Sequence, residues 1–369
     1  LQGGSFTEVG QLAGGEVDAF IAGIGSLNGR PVAVGCEDFT VKGGSIGRAE
    51  SAKRYRIAEL ALQERIPLIM LLEGAGHRPP LPDDPPSFRT PGDLQAQADA
   101  SGRIPLATAV LGPSAGHGAL SAPLADFTVM TEKASIFTAG PPLVKASLGE
   151  DITKEELGGP GIALHSGVIH NLASNDESAL EQIRTWLSYL PSSAWQAPTR
   201  LADAEGERKV NELLNIIPEN PRQAYDMHDV INAVADSGSV FTIQPMFGQS
   251  LITCFARLSG RPVAIVANQP QHMAGSITVE AADKATQFIQ VADSFHLPLI
   301  FLTDNPGVLA GSSSERAGIL RHAGRMFLAQ HHATVPKIQV TLRKAYGFGS
   351  TAMGMNPFNG QTLNLAFPG

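Results

Sequence analysis

The chain has 369 residues, a net charge of −8, and 43% hydrophobic against 17% charged residues. That is enough chain for about two domains with buried cores, and the lack of any Lys/Arg block excludes nucleic acid as the main partner. No apolar run reaches the length of a membrane span and no signal-peptide pattern opens the chain, while two lone cysteines, Cys36 and Cys254, predict neither a four-cysteine zinc site nor a disulfide, so the chain reads as intracellular.

In chain order, Phe6-Thr7 precedes a short apolar strand, Val32-Ala33-Val34, and the polar loop Lys42-Gly43-Gly44-Ser45. The spacing then predicts a helix over 49–64, and Pro67 opens a buried strand over 68–72. A Gly-bearing turn, another helix and a strand over 106–111 lead into Gly112-Pro113-Ser114-Ala115-Gly116-His117-Gly118. Residues 175–238 hold an amphipathic segment over 178–190, a Pro- and charge-rich piece over 191–221 and a helix over 227–235. The pattern then starts again. A strand at Val263-Ala264-Ile265-Val266 leads to a helix over 279–295, on which Ala281, Ala285, Phe288, Ala292 and Phe295 share one face. Strands over 299–302 and 338–342 follow, the second ending in Arg343-Lys344-Ala345-Tyr346-Gly347-Phe348-Gly349. Strands alternating with helices at this spacing predict right-handed crossovers and a largely parallel sheet, an α/β fold.

The recurrence is literal. Leu27-Asn28-Gly29-Arg30-Pro31-Val32-Ala33-Val34 returns as Leu258-Ser259-Gly260-Arg261-Pro262-Val263-Ala264-Ile265, an offset of 231. The same offset carries Gly44-Ser45-Ile46 onto Gly275-Ser276-Ile277, Lys53 onto Lys284, Pro67 onto Pro298, Gly76 onto Gly307 and Gly116 onto Gly347. This is domain duplication, since the period is far longer than that of a solenoid. It predicts an N-terminal domain over 1–197, a linker over 198–237 and a C-terminal domain over 238–369. The first copy continues past Gly118 to about His170, further than the chain runs after Gly349, so the second is expected to be cut or disordered in mid-repeat.

Four segments are candidates for chemistry. Residues 112–118 and 343–349 each end a strand before a helix, where free backbone N–H groups meet a helix dipole and could stabilise an anion. A plain strand-to-helix turn explains either one alone; two at matched positions favour function. Gly112-Pro113-Ser114-Ala115-Gly116 also fits the G-x-S-x-G nucleophile elbow, with His165 or His170 as a partner for Ser114. Lys42, Arg48, Lys53 and Arg54 beside the Gly43-Gly44 turn could hold phosphates, or be a solvated helix face. Asn268-Gln269-Pro270 and Asp304-Asn305-Pro306-Gly307 could hold an amide-like ligand, or simply supply turns. Glu73 and Arg78 read as an ion pair, and the scattered histidines give no metal site.

Taken together, these motifs resemble the carboxyltransferase (β) subunits of biotin-dependent acyl-CoA carboxylases of the propionyl-CoA/acetyl-CoA type. The residues that carry the resemblance are 38–45, 112–116 and Glu155-Glu156-Leu157-Gly158-Gly159 in the first half, with Asn268-Gln269-Pro270, 304–307, Leu320-Arg321-His322 and 343–347 in the second. It implies two tandem crotonase-like domains, each a ββα spiral. The family's active site lies at a dimer interface, and six subunits usually assemble as a trimer of dimers. The resemblance assigns oxyanion-hole N–H groups to Gly116 and His117, and to Phe348 and Gly349. It puts Gly43, Gly44, Ser45, Arg54, Ala75 and Gly76 on the acyl-CoA side, and Asn268, Gln269, Gly307 and Tyr346 on the biotin side. It implies biotin on a partner subunit that also supplies biotin carboxylase, a coenzyme A thioester as substrate, no metal in this chain, and a cytoplasmic (or, in a eukaryote, mitochondrial matrix) protein.

There are departures. The family has Gly-Gly where Gly116-His117 stands, Gly-Ala where Phe348-Gly349 stands, and Asp-Ser-Gly-Gly-Ala-Arg where Glu73-Gly74-Ala75-Gly76-His77-Arg78 stands. A position tied to acyl-chain choice, usually Asp, is Thr351. The main expectation is therefore carboxyl transfer from biotin to an acyl-CoA. The alternatives are a biotin-dependent acyl-CoA decarboxylase, a Ser114 hydrolase, and a non-catalytic scaffold subunit.

Overall fold

A computed structural model describes residues 1–11, 18–79, 92–202, 206–356 and 360–367. The chain divides into two compact units, 1–187 with 192–195, and 188–191 with 196–369. The first contains strands β1 (Thr7–Glu8), β2 (Phe20–Leu27), β3 (Arg30–Glu37), β4 (Leu68–Gly74), β5 (Leu106–Ala115), β6 (Phe127–Thr131), β7 (Ser135–Phe137) and β8 (Asn171–Ala173). They pair in the order β1-β2-β3-β4-β5-β6-β8, with β7 beside β5. The second contains β9 (Phe241–Ile243), β10 (Leu251–Leu258), β11 (Arg261–Asn268), β12 (Leu299–Asn305), β13 (Lys337–Ala345) and β14 (Thr362–Ala366), paired β14-β13-β12-β11-β10-β9.

Each unit opens with a hairpin, β2–β3 or β10–β11. The two-residue turns Asn28-Gly29 and Ser259-Gly260 take φ of 52° and 77°, and of 48° and 76°. Both central residues are left-handed, the turn whose twist matches paired strands. From there the strands run parallel, β3–β4–β5–β6 and β11–β12–β13–β14. The crossovers are the helices Arg48–Glu64 and Val279–Ser294. Both stop at a left-handed residue, Arg65 or His296, whose successor donates back to Ala61 or Ala292.

Lys53 and Lys284, matched across the duplication, both bury their ammonium groups against the segment before the hairpin. Lys53 holds Asp18 at 2.8 Å and the Phe20 carbonyl at 3.1 Å. Among the described residues Lys284 meets no carboxylate; it donates to the Phe247 and Gln244 carbonyls at 2.6 and 3.2 Å.

The first core packs Phe20, Ile57, Leu68, Met70, Leu72 and Val110 between sheet and helices. In the second, Ile252, Ile265, Ile300 and Leu302 meet Tyr225, Met227 and Ile231. Residues 217–231 were expected in a linker; burying these apolar side chains makes them part of the second unit's core. The amphipathic 178–190 segment is the helix Asp176–Tyr189, whose Trp186 is fully buried and stacks on Phe127 at 5.5 Å.

Candidate active site

In the first unit two loops meet at the C-terminal ends of β4 and β5. The β4 loop is Ala75-Gly76-His77, pinned to the preceding turn by Ala75 N–H donating to the Gly43 carbonyl and by a bridge between Ile46 and His77. Gly76 has φ of 79°, and a Cβ there would lie 2.8 Å from the Ala115 carbonyl oxygen, so only glycine lets the loops approach this closely. β5 runs to Ala115, after which Gly116, at φ of 59°, turns the chain into the short helix Gly116–Ala119. The first N–H groups of a helix have no intrahelical acceptor. That of His117 has no backbone acceptor among the described residues, while Ala115, just before Gly116, is still paired with Phe137 of β7.

The second unit repeats the device. Gly347, at φ of 56°, turns β13 into the helix Gly347–Ala352. A Cβ on Gly349 would lie 2.6 Å from Asn305 Oδ1 and 2.7 Å from Gly307 Cα. Phe348 and Gly349 likewise donate to no other described residue. The Phe348 ring leans on Phe327 at 5.6 Å and stays 42% exposed beside Tyr346.

Three sequence expectations are corrected. Arg54 is not a phosphate-facing cation. It is fully buried, with Nη1 on Glu37 at 2.8 Å, Nε on Asp93 at 2.8 Å and Nη2 on Ser121 at 2.9 Å. Asn268 and Gln269 do not present free amides. Asn268 donates to the Gly275 carbonyl and accepts from Asp304 N–H and Asn305 Nδ2. Gln269 accepts from Met227 N–H and donates to Asp226. With Gly307 N–H donating to Asn305 Oδ1 at 2.8 Å, these groups brace the loops behind Gly349. Gly44 is also buried, since a Cβ would run into the Glu73 carbonyl; the neighbouring Ser45 hydroxyl donates to the Lys42 carbonyl. Arg78 pairs with Glu50 at 3.0 Å rather than with Glu73. Burial first, then Asp176 and Asp38, raise the Glu73 carboxyl above its ordinary range.

The nucleophile elbow is overturned as well. Ser114 lies in β5, in register with Gly74 and Ile136, and its Oγ is buried with no hydrogen-bond partner. An elbow needs a sharp turn and an exposed hydroxyl.

Asp93 was missed by the sequence reading. It opens the helix Asp93–Ala100, and its Oδ1 lies 2.6 Å from His117 Nε2 while its Oδ2 holds Arg54. Burial works to raise this carboxyl, but the hydrogen bonds and charges of His117 and Arg54 win and bring it to about 2. Behind Arg54, Glu37 Oε2 accepts the Glu73 N–H at 2.8 Å. Burial is the largest influence on Glu37 and raises it, against the pull of Arg54. Nothing in the spacing of Glu37, Arg54, Asp93 and His117 marks them as one chain of contacts; the fold alone assembles it. Among the described residues no group of three or more His, Cys, Asp or Glu could hold a metal, and no helix is long and apolar enough to cross a membrane.

Two α/β units whose first six strands pair in the same order, with the same glycine-turned strand ends, define a tandem crotonase-like fold. The carboxyl transferase domain model matches residues 1–368, and the chain belongs to that family, the carboxyltransferases of biotin-dependent acyl-CoA carboxylases. It is 39% identical over 355 residues to the propionyl-CoA carboxylase carboxyltransferase subunit of Haloferax mediterranei, covering 95% of this chain and 68% of that one. It is 37% identical over 342 residues to the methylmalonyl-CoA decarboxylase subunit alpha of Veillonella parvula, covering 91% of this chain and 66% of that one. The transcarboxylase 12S hexamer, solved with hydrolyzed methylmalonyl-coenzyme A bound, superposes with a TM-score of 0.88 at 36% identity, over 95% of this chain and 71% of that one. The chain thus spans about two thirds of the length of such relatives.

Proposed function

We propose that this protein transfers a carboxyl group from carboxybiotin, carried on a partner subunit with biotin carboxylase, to the α-carbon of an acyl-CoA. The observation that carries this reading is the matched pair of strand ends, Gly116-His117 and Gly347-Phe348-Gly349, each a left-handed glycine that turns a strand into the first N–H groups of a short helix. A thioester oxygen gains charge when its α-carbon becomes nucleophilic, and each preorganised donor contributes roughly 3 kcal/mol to stabilising such a charge. In this reading Gly116 and His117 hold the thioester oxygen. Phe348 and Gly349 face the ureido oxygen of biotin. Open donors beside the exposed rings of Tyr346 and Phe348 fit a flat ureido group, which needs donors at its oxygen and apolar cover for its rings. When bound, carboxybiotin supplies the activated carboxyl group. Ala75 and Gly76 line the acyl side, with Gly43, Gly44 and Ser45 setting the loop behind them. The protein works as a homo-oligomer, a hexamer like transcarboxylase 12S, in the cytoplasm or the mitochondrial matrix.

The test is the purified holoenzyme with labelled bicarbonate, ATP and a panel of acyl-CoA substrates. Incorporation of label into one of them is expected; no turnover on any supports a scaffold subunit. A second reading, decarboxylation, draws on the similarity to methylmalonyl-CoA decarboxylase. It is distinguished by activity that needs neither ATP nor bicarbonate.

A further inference from the structure

The four-residue helix Gly116–Ala119 is too short to hold its own shape. One buried guanidinium holds it instead. Arg54 uses all three nitrogens: Nη2 donates to Ser121 Oγ just past the helix, Nη1 meets Glu37 Oε1 and Nε meets Asp93 Oδ2. Both carboxylates pass the hold on. Asp93 Oδ1 ties the His117 ring at 2.6 Å, and His77 meets that ring edge-on with centroids 4.4 Å apart. Glu37 lies against the same helix, where a Cβ on Gly118 would come within 2.5 Å of Oε1. Its Oε2 accepts the Glu73 N–H at the end of β4.

The second copy separates what the fold needs from what it does not. At the offset of 231, Glu37, Glu73 and Gly118 fall on Asn268, Asp304 and Gly349. Asn268 Oδ1 accepts the Asp304 N–H as Glu37 accepts that of Glu73, so the second strand end has the same bracket built from neutral amides, Asn268 and Asn305. Arg54, Asp93, His117 and Ser121 fall on Ala285, Gly324, Phe348 and Ala352, so none of the charged tether is repeated. The same strand order forms without it. Apolar residues in place of a buried ion group are often neutral or stabilising, so stability does not account for the cluster either; a directional network gives one fixed geometry.

We infer that Asp93, set by Arg54, is a positioning residue for the first strand end: it holds the His117 ring and through it fixes where the His117 N–H points, while the second strand end is set by neutral amides. This rests on the reading that the His117 N–H meets the thioester oxygen. Asp93 and Arg54 are buried and act only through the ring and the helix; neither moves a proton. A donor held in place before charge develops needs no reorganisation during the reaction. A misplacement on the order of 1 Å is worth about 10²-fold in rate.

The experiment compares Asp93→Ala and Asp93→Asn, each also made in His117→Gly, in the holoenzyme with bicarbonate, ATP and acetyl-CoA or propionyl-CoA. Asp93→Ala leaves Arg54 paired with Glu37, so no carboxylate is stranded. Two quantities are read. One is steady-state carboxyl transfer. The other is amide hydrogen exchange, by mass spectrometry, at Leu120, Ser121 and Ala122, which donate to the His117, Gly118 and Ala119 carbonyls and report whether the turn stays closed. Asp93→Ala is expected to lower kcat on the order of 10²-fold, with the KM for the CoA ester little changed. Exchange at the three amides is expected to quicken on the order of 10-fold as local opening grows more frequent. Met353 and Gly354, which close the second turn on Gly349 and Thr351, keep their wild-type rates. Asp93→Asn keeps an acceptor for the ring and is expected to recover most of both losses. In His117→Gly the tether is already cut, so Asp93→Ala is expected to add less than about 2-fold. Unchanged exchange at the three amides, an unchanged kcat, or an equal loss in the His117→Gly background would each overturn the inference and leave carboxyl transfer standing. Exchange that follows Asp93 in a wild-type protein that carboxylates no CoA ester has the reverse meaning: the tether stands and the proposed function falls.

Discussion

At the residue scale, this chain buries charge freely, and what each charge does depends on its partners. Arg54 in the sequence is one of several cations beside a double glycine, indistinguishable from a phosphate ligand. In the fold it lies between two buried carboxylates, Glu37 and Asp93, and pairs with both. Removing one member of such a group leaves the others uncompensated at about 3–5 kcal/mol. Arg54→Met is therefore expected to lower the melting temperature steeply, by calorimetry. Ser114→Ala should do the opposite of what an elbow serine predicts. Its hydroxyl is buried without a partner, so deletion is expected to leave carboxyl transfer intact and to stabilise by about 1 kcal/mol. Loss of carboxyl transfer in that variant would contradict a purely structural Ser114. Lys284 supplies a pH signature. Burial brings its ammonium down to about 7 from an ordinary value of about 10.4. Below pH 7 both folded and unfolded chains hold the proton and the cost of burying it is fully present. Between pH 7 and about 10.4 only the unfolded chain holds it, so stability climbs with pH. Thermal midpoints measured at pH 7 and 9.5 should differ by more in the wild type than in Lys284→Met, where this climb is gone.

At the element scale, most of the strands and long helices were legible, because period and punctuation agree there. The helix expected over 279–295 is Val279–Ser294, and the one over 49–64 is Arg48–Glu64. The duplication did the rest: a turn seen at Gly29 had to recur at Gly260, and it does. Strand ends were less legible. β5 was expected over 106–111 and runs to Ala115, because past Leu111 it gains a new neighbour, β7, which pairs Pro113, Ser114 and Ala115. That pairing is tertiary and leaves no local trace; it is what turned a seeming loop serine into a strand residue. The glycines were legible as a set but not in their reasons. Gly349 is needed because Asn305 and Gly307 leave no room for a Cβ. Gly349→Val, bulkier than the alanine of the family, is accordingly expected to push the helix start away from the loop and cut kcat on the order of 10²-fold, as the loss of one oxyanion donor would. Stability should fall far less. Steady-state kinetics at saturating acyl-CoA checks it, and a change confined to KM would contradict the assignment of this N–H to the reacting centre.

At the scale of the whole molecule, the surface argues for more than one copy of the chain. The helix Pro141–Leu148 carries Leu143, Val144 and Leu148, yet none of its residues is buried; Leu143 and Leu148 are 66% and 75% exposed. An isolated helix this short is not stable in water by propensity alone, so its apolar face needs cover. Ile162, in the next helices along the same unit, is also exposed. Scattered apolar residues are ordinary on a surface, but a helix whose leucines and valine all stay out of the core is the mark of an interface. Composition could not show this, because hydrophobic content counts residues without saying which face they end on. A second copy of this chain, in the homo-oligomer proposed above, is the expected occupant. Leu143→Asp with Leu148→Asp is expected to shift the native mass, measured by light scattering, from a hexamer toward smaller species, and to lower carboxyl transfer with it. The unfolding midpoint of the dissociated protein should also become dependent on concentration, as linkage between folding and assembly requires. A double variant that keeps the wild-type mass would take this helix out of the interface and leave its exposed leucines without a role.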